Sequence, residues 1–563
     1  MSPNSHATTA RVKAKMSMAL FSVLILFAVL LTACGGGNPA TGNNTTPNNK
    51  KAILNLGAHV GGPYVRATSP FNPSANEGIL GFVYEPLYFV NQIDGKETPL
   101  LASSYQWSED FKKLTFTIRE NVKWSDGQAF SAEDVAFTYN LLKKFPATDT
   151  RGLWNYLTSA EAPDAKTVVI TFKQSYTPLF YNLASQVPMV PKHIFEKVKD
   201  PVTYNEDPVG TGPFKFDKLT PQMITYKKNA DYWQADKVQI EELRLPQVTD
   251  NNVLLQKLIA GQIDWGSFFP EGSLDQTFVS KDPQNNHYWM PPYAMFSMYI
   301  NLTKEPLNDV ALRQAMAWAL DRDQLAKQAE GGYVDGGNQY GLVTPNQNSY
   351  IDSSLEKISY NKEKANEILD KAGYTKGSDG VRTKNGQRLS FKLNLPAGWT
   401  DWEKMASIIQ ANLKEIGIDI QVNGLQQANW TDALNNQKYD LSIGGTYSGP
   451  SPYYQFNNHL NSANIGHNGQ NWSAWKDDET DKLLNQYVSN SANKDEQTKA
   501  IHGLEKVMVE KVPFIPLVNA GGWFEYTTKN FTGWPNKDNA YALGPTWSFP
   551  DNLMVVTNLK LKS

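Results

Sequence analysis

The chain reads as a mixed α/β protein. Three observations say so: short segments that alternate apolar and polar residues, longer segments with apolar residues at helical spacing, and capping residues where those longer segments begin and end. Leu114-Thr115-Phe116-Thr117-Ile118 and Thr167 to Phe172 alternate as half-buried strands. Ser131-Ala132-Glu133-Asp134 ahead of Val135, Phe137 and Leu141 offers an N-cap hydroxyl and early acids suited to a helix dipole. Asp309 caps a helix in which Val310, Leu312, Ala315, Met316, Ala319 and Leu320 recur at helical spacing. Asn361 starts another, with Ala365, Ile368, Leu369 and Ala372 inward and Gly373 at the stop. Met405, Ile408, Ile409, Leu413 and Ile416 make a fourth, closed by Gly417. Ile418 to Val422 then alternates as a strand.

The amino terminus is a different kind of sequence. Arg11, Lys13 and Lys15 precede an apolar stretch from Met16 to Leu31, followed by Leu31-Thr32-Ala33-Cys34-Gly35. A basic region, an apolar region and small residues before a cut describe a secretory signal. The Leu-Thr-Ala-Cys tetrapeptide resembles the lipobox of bacterial lipoproteins. That resemblance implies cleavage before Cys34 and a lipid on its thiol. The alternative is a buried or redox thiol behind an ordinary membrane span. The run is short of the roughly 20 residues a span needs, and a lone Cys forms no internal disulfide. Residues 1–33 are thus expected to be a signal peptide. Residues 34–51, rich in Gly, Asn, Thr and Pro, are expected to be a disordered tether. The protein would sit lipid-anchored at the cell membrane, facing the extracellular or periplasmic side.

Beyond the leader the chain runs for about 530 residues, too long for one core, so two or three units are expected. A net charge of −3 and no Lys/Arg run leave no footprint for nucleic acid. The unusual feature is aromatic content, with 15 Trp, 26 Tyr and 25 Phe. It fits either aromatic-filled cores or a cleft lined with flat faces for a sizeable ligand.

Signals for catalysis and cofactors are weak. The histidines (His6, His59, His193, His287, His459, His467 and His502) form no His-Glu-x-x-His pair, and one Cys makes no thiolate cage. No nucleophile elbow or Walker loop is present. Gly210-Thr211-Gly212-Pro213 is followed by Phe214 and reads as a turn between strands, not a phosphate loop. Asp477, Asp478 and Glu479 read as solvated surface, although a pair of glycosidase acids has no short signature. No enzyme activity, metal or other cofactor is expected, and a secreted hydrolase is the remote alternative.

Four segments resemble the family 5 extracellular solute-binding proteins of ABC importers. The first runs from Pro99-Leu100-Leu101-Ala102-Ser103 and Trp107-Ser108 through Leu114 to Arg119 and Val122-Lys123-Trp124-Ser125-Asp126-Gly127 to Phe130-Ser131-Ala132-Glu133-Asp134-Val135. The second is Pro208-Val209-Gly210-Thr211-Gly212-Pro213-Phe214 with Asn229-Ala230-Asp231-Tyr232-Trp233. The third is Asn301 with Pro306-Leu307, Asp309-Val310, Arg313-Gln314-Ala315 and Leu320-Asp321-Arg322. The fourth is Val512-Pro513-Phe514-Ile515-Pro516-Leu517. The resemblance implies a periplasmic-binding-protein-like two-lobed clamp of type II with an additional small domain. Lobe I is then expected over 52–89, 207–302 and 518–563, the additional domain over 90–206, and lobe II over 303–517, with crossings near 302 and 517. Trp124 and Asp126-Gly127 would fix a turn rather than touch ligand. The implied work is capture of a small oligomeric solute by lobe closure and delivery to ABC permease subunits, by a monomer.

Peptide is the class-level default for that solute. Members of the family commonly meet a peptide's amino terminus with an acid after a Gly-containing strand end. Here the matching stretch, Gly444 to Pro452, holds no carboxylate, and Ser448 stands in its place. Pro396 to Trp402 and Thr532 to Tyr541 are similar to members that bind cellobiose and related β-linked oligosaccharides, which is the alternative ligand. Expected ligand contacts are Phe82, Tyr84 and Glu85 in the first lobe. In the second they are Gly445, Thr446, Tyr447 and Ser448, with Trp399, Trp402, Trp472 and Trp475 as stacking platforms.

Overall fold

The computed structural model describes residues 52–57, 62–270, 272–445, 449–466 and 470–562. Cys34, the leader and the tether lie outside them. Among the described residues no helix is long and apolar enough to cross a membrane.

Three sheets organise the body. The first has seven strands in the order Asn286–Tyr288, Glu525–Thr527, Trp265–Gly266, Ile53–Gly57, Glu242–Pro246, Met223–Lys228 and Phe214–Thr220. The second has five, ordered Asp419–Leu425, Ser390–Pro396, Leu441–Gly445, Pro292–Ile300 and Phe514–Gly521. Its first three strands are parallel and its last two antiparallel. The third is an antiparallel sheet of Ala102–Trp107, Lys113–Ile118, Thr167–Phe172 and Leu157–Glu161.

The chain passes between the two larger sheets twice, at 289–291 and 522–524. The passages lie side by side, with Trp289 N–H donating to Phe524 O at 2.9 Å and Gly522 N–H to Pro291 O at 2.8 Å. Crossings expected near 302 and 517 are therefore displaced. Pro292–Ile300 pairs on both edges with strands of the five-stranded sheet, so it belongs there in full, and Phe514–Gly521 likewise. The four-stranded sheet falls inside the expected 90–206.

Local signals in the sequence are realised closely. The Ser131 N–H donates to Asp134 Oδ2 at 3.0 Å, opening the helix Ala132–Lys144. Asp309 accepts from the Ala311 N–H at the start of Val310–Ala319, and Asn361 from Lys364 at the start of Lys362–Lys371. Each satisfies a donor the helix leaves orphaned.

The first two family-like segments meet where the small unit joins the seven-stranded one, and the third and fourth meet each other within the five-stranded unit. Trp124 is fully buried in a turn closed by its N–H to Gln128 O at 2.8 Å, and Ser125 N–H donates to Gly210 O at 2.9 Å. Gly210-Thr211-Gly212 is a loop leading into the strand Phe214–Thr220, but the element before it is the helix Lys192–Phe195, so it is not the turn between strands that was expected. A Cβ on Gly212 would stand 2.4 Å from Phe82 O, so only glycine lets these backbones meet. Arg313, on the third segment, donates from Nε to Val512 O at 2.9 Å and from Nη2 to Lys511 O at 2.6 Å. Arg322 donates to Pro516 O at 2.8 Å and Gln339 Oε1 at 2.9 Å. The buried guanidiniums thereby fasten the third segment to the fourth.

Candidate solute-binding site

A cavity of about 610 Å³ opens where the three sheet units meet. That lies inside the range of about 300–1,000 Å³ typical of small-ligand sites. Phe71, Asn72, Leu80, Trp547 and Ser548 line it from the seven-stranded unit, and Gln92, Asp149, Thr150, Arg151, Tyr181 and Gln186 from the small unit. Tyr293, Ala294 and Gly445 close it from the five-stranded sheet. Tyr293 starts the strand that leaves one crossing. Gly445 ends a parallel strand, the edge where open α/β sheets bind ligands.

The wall is aromatic and almost neutral. Trp547 keeps 44% of its surface exposed, an unusual fraction for indole in a folded body, and packs against Tyr293 with centroids 5.5 Å apart at 62°. One ring comes from each large unit. Asp149 is occupied by its own turn, accepting from Leu153 N–H at 2.8 Å and Trp154 N–H at 3.0 Å, and burial raises its pKa. Arg151 donates to Gln186 Oε1 at 3.1 Å, and Gln186 reaches Phe549 O at 3.4 Å. The charged pair thus faces internal partners, leaving uncharged Asn72, Gln92 and Thr150 beside the rings.

Of the residues expected to touch solute, Gly445 is at the cavity. Trp399, 38% exposed at the start of the helix Thr400–Glu415, packs on Trp402 and Trp430 and is not among the residues that line this cavity. Thr446, Tyr447 and Ser448 lie outside the described residues.

The remaining expectations are corrected. Phe82, Tyr84 and Glu85 are wholly buried. Phe82 packs edge-on between Phe214 and Tyr226. Glu85 accepts from the Tyr232 hydroxyl at 2.9 Å and the Trp233 indole N–H at 3.3 Å, and its backbone O takes Met189 N–H at 2.9 Å. It joins the small unit to the seven-stranded one, and burial pushes its pKa up to about 7. Trp402 is enclosed by Trp399, Phe296 and Trp430. Trp472 donates to Asn435 Oδ1 at 3.0 Å and Trp475 to Thr480 Oγ1 at 3.1 Å, both buried, so these rings fill the interior. Trp547, Tyr293, Tyr181 and Phe71 were not anticipated. No motif marks them, and only the meeting of remote segments brings them together.

Two large α/β units joined by a paired double crossing, with a cavity at their junction, define a solute-binding clamp. The family model for bacterial extracellular solute-binding proteins, family 5, matches residues 96–467, and the chain belongs to that family. It is 26% identical over 538 residues to the oligopeptide-binding protein OppA of Bacillus subtilis, covering 89% of this chain and 94% of that protein. The solved structure of a periplasmic oligopeptide-binding protein of an ABC transporter from Thermotoga maritima superposes with a TM-score of 0.84. The two are 27% identical, with 91% of this chain and 100% of that one covered. The same Thermotoga protein with mannohexaose bound gives a TM-score of 0.79 at 27% identity, with 91% and 99% covered. The fold expectation is borne out, and the family is that of non-catalytic solute-binding components of transport.

Proposed function

We propose that this protein is the lipid-anchored receptor of an ABC importer. It would capture an oligopeptide-class solute in the cavity at the junction of its units and hand it unchanged to a membrane permease. The observation that carries the reading is the cavity itself, whose walls come from three units, the two larger of them connected by the chain passages at 289–291 and 522–524. Bending at 289–291 and 522–524 separates the half-sites, and a solute bridging both stabilises the closed form by its differential affinity. Closure removes water and strengthens each hydrogen bond to the solute. Cys34 carries the lipid and residues 35–51 the tether, which keeps the loaded clamp near the permease. The three sheets support a division into two lobes and a small domain, with boundaries at the crossings, and the clamp would act as a monomer.

A second reading, a short neutral oligosaccharide, is favoured by the Trp547–Tyr293 pair beside uncharged side chains and by the missing acid beyond Gly445. A thermal-shift screen with mixed tri- to hexapeptides, mannohexaose and cello-oligosaccharides separates the two. Solute at 100 times its dissociation constant stabilises by about 2.7 kcal/mol. Response to peptides alone supports the first reading and response to neutral sugars alone the second. Turnover of any of these compounds defeats both.

A further inference from the structure

The small unit is attached to its two neighbours in unlike ways. To the seven-stranded unit it is joined by backbone hydrogen bonds, Ser125 N–H to Gly210 O at 2.9 Å and Met189 N–H to Glu85 O at 2.9 Å, and by the Glu85 network. To the five-stranded unit it is joined by side chains. The Tyr176 and Tyr453 hydroxyls share a hydrogen bond of 2.7 Å, Thr177 Oγ1 donates to Ser491 Oγ at 2.7 Å, and the Tyr454 hydroxyl donates to Pro178 O at 2.7 Å. Tyr181 meets Tyr454 edge-on at 5.3 Å. Tyr453 is held in place by stacking on Tyr487 at 4.5 Å and 14°. Among the described residues no backbone–backbone hydrogen bond crosses this seam.

We propose that the tyrosine seam is a releasable latch, which holds the small unit against the second lobe and walls one side of the cavity through Tyr181. A contact in which every hydrogen bond uses a side chain on at least one side parts without breaking a sheet, whereas the backbone-bonded joint moves as one body. Opening therefore carries the small unit away with the seven-stranded unit. Hydroxyls buried on both sides re-form their bonds in one geometry, so the seam also fixes the closed angle. The cavity's role as the solute site rests on the function proposed above; the latch itself does not.

The test is a cysteine pair, Thr177→Cys with Ser491→Cys, in the full chain. The present hydroxyl distance places the two Cβ atoms near the roughly 3.5–4.5 Å that a disulfide needs. Cys34 is the only native cysteine, and the two single substitutions control for it. Oxidation is expected to join the pair, read by loss of maleimide-reactive thiol. Adding Tyr176→Ala and Tyr453→Ala removes a ring contact and a hydrogen bond and is expected to slow joining about tenfold. Tyr453→Phe, which keeps the ring, is expected to fall between. An unchanged rate in the alanine variant, with unfolding temperature and near-ultraviolet circular dichroism retained, overturns the latch. Joining that depends on the tyrosines while no peptide or sugar responds leaves the latch standing and removes the solute assignment.

Discussion

Replacing Glu85 separates a ligand contact from a structural joint. In the folded state its carboxyl is wholly buried and its pKa is raised from 4.5 to about 7, chiefly by desolvation. Between those values the folded protein keeps a proton that the unfolded chain has released. The contribution of this group is therefore greatest below pH 4.5 and is lost as pH rises through about 7. The full loss amounts to about 3 kcal/mol. Glu85→Gln keeps an oxygen to accept from Tyr232 and Trp233 and cannot ionise. It is expected to match the parent at pH 5 and to be more stable at pH 8, by up to that amount. Glu85→Leu leaves two donors without an acceptor, at about 1–3 kcal/mol each, and is expected to be less stable at both pH values. Urea unfolding at the two pH values measures this, with solute response recorded by thermal shift. A glutamine variant that folds as well as the parent and no longer responds to the solute would return Glu85 to the binding site. An unaltered pH profile would remove the desolvation argument.

Other consequences are as direct. Trp547→Ala removes a half-exposed ring from the cavity wall. It is expected to weaken solute binding at least about tenfold by calorimetry while leaving the unfolding temperature within a few degrees of the parent. A Cβ on Gly444 would lie 2.9 Å from both Trp472 and Tyr299. Gly444→Ala is therefore expected to cost about 1–3 kcal/mol by overpacking, seen as a lower urea midpoint. Arg322→Met leaves Pro516 O and Gln339 Oε1 without their donor. A loss of about 2–4 kcal/mol is expected, and a neutral result would show that the guanidinium does not fasten the two segments.

The class of the fold, several helices with their caps, and the family could be read from the amino-acid order. These are written in contiguous residues: Ser131 with Asp134, Asp309 with Ala311, Asn361 with Lys364. The family-like segments were legible for the same reason. Each is a tight joint whose partners (Gly212 against Phe82, Arg322 against Pro516) tolerate few alternatives. Which aromatics line the cavity is written in no contiguous stretch. A tryptophan that fills a core and one that lines a cleft look alike in sequence. Trp472 and Trp475 went inside because Asn435 and Thr480 satisfy their indole N–H groups, while Trp547 kept an open face because the wall opposite it comes from Tyr293, 254 residues earlier in the chain. The crossings were misplaced for a related reason. Only pairing on both edges of Pro292–Ile300 assigns that strand to its sheet, and pairing is a property of segments far apart in the chain.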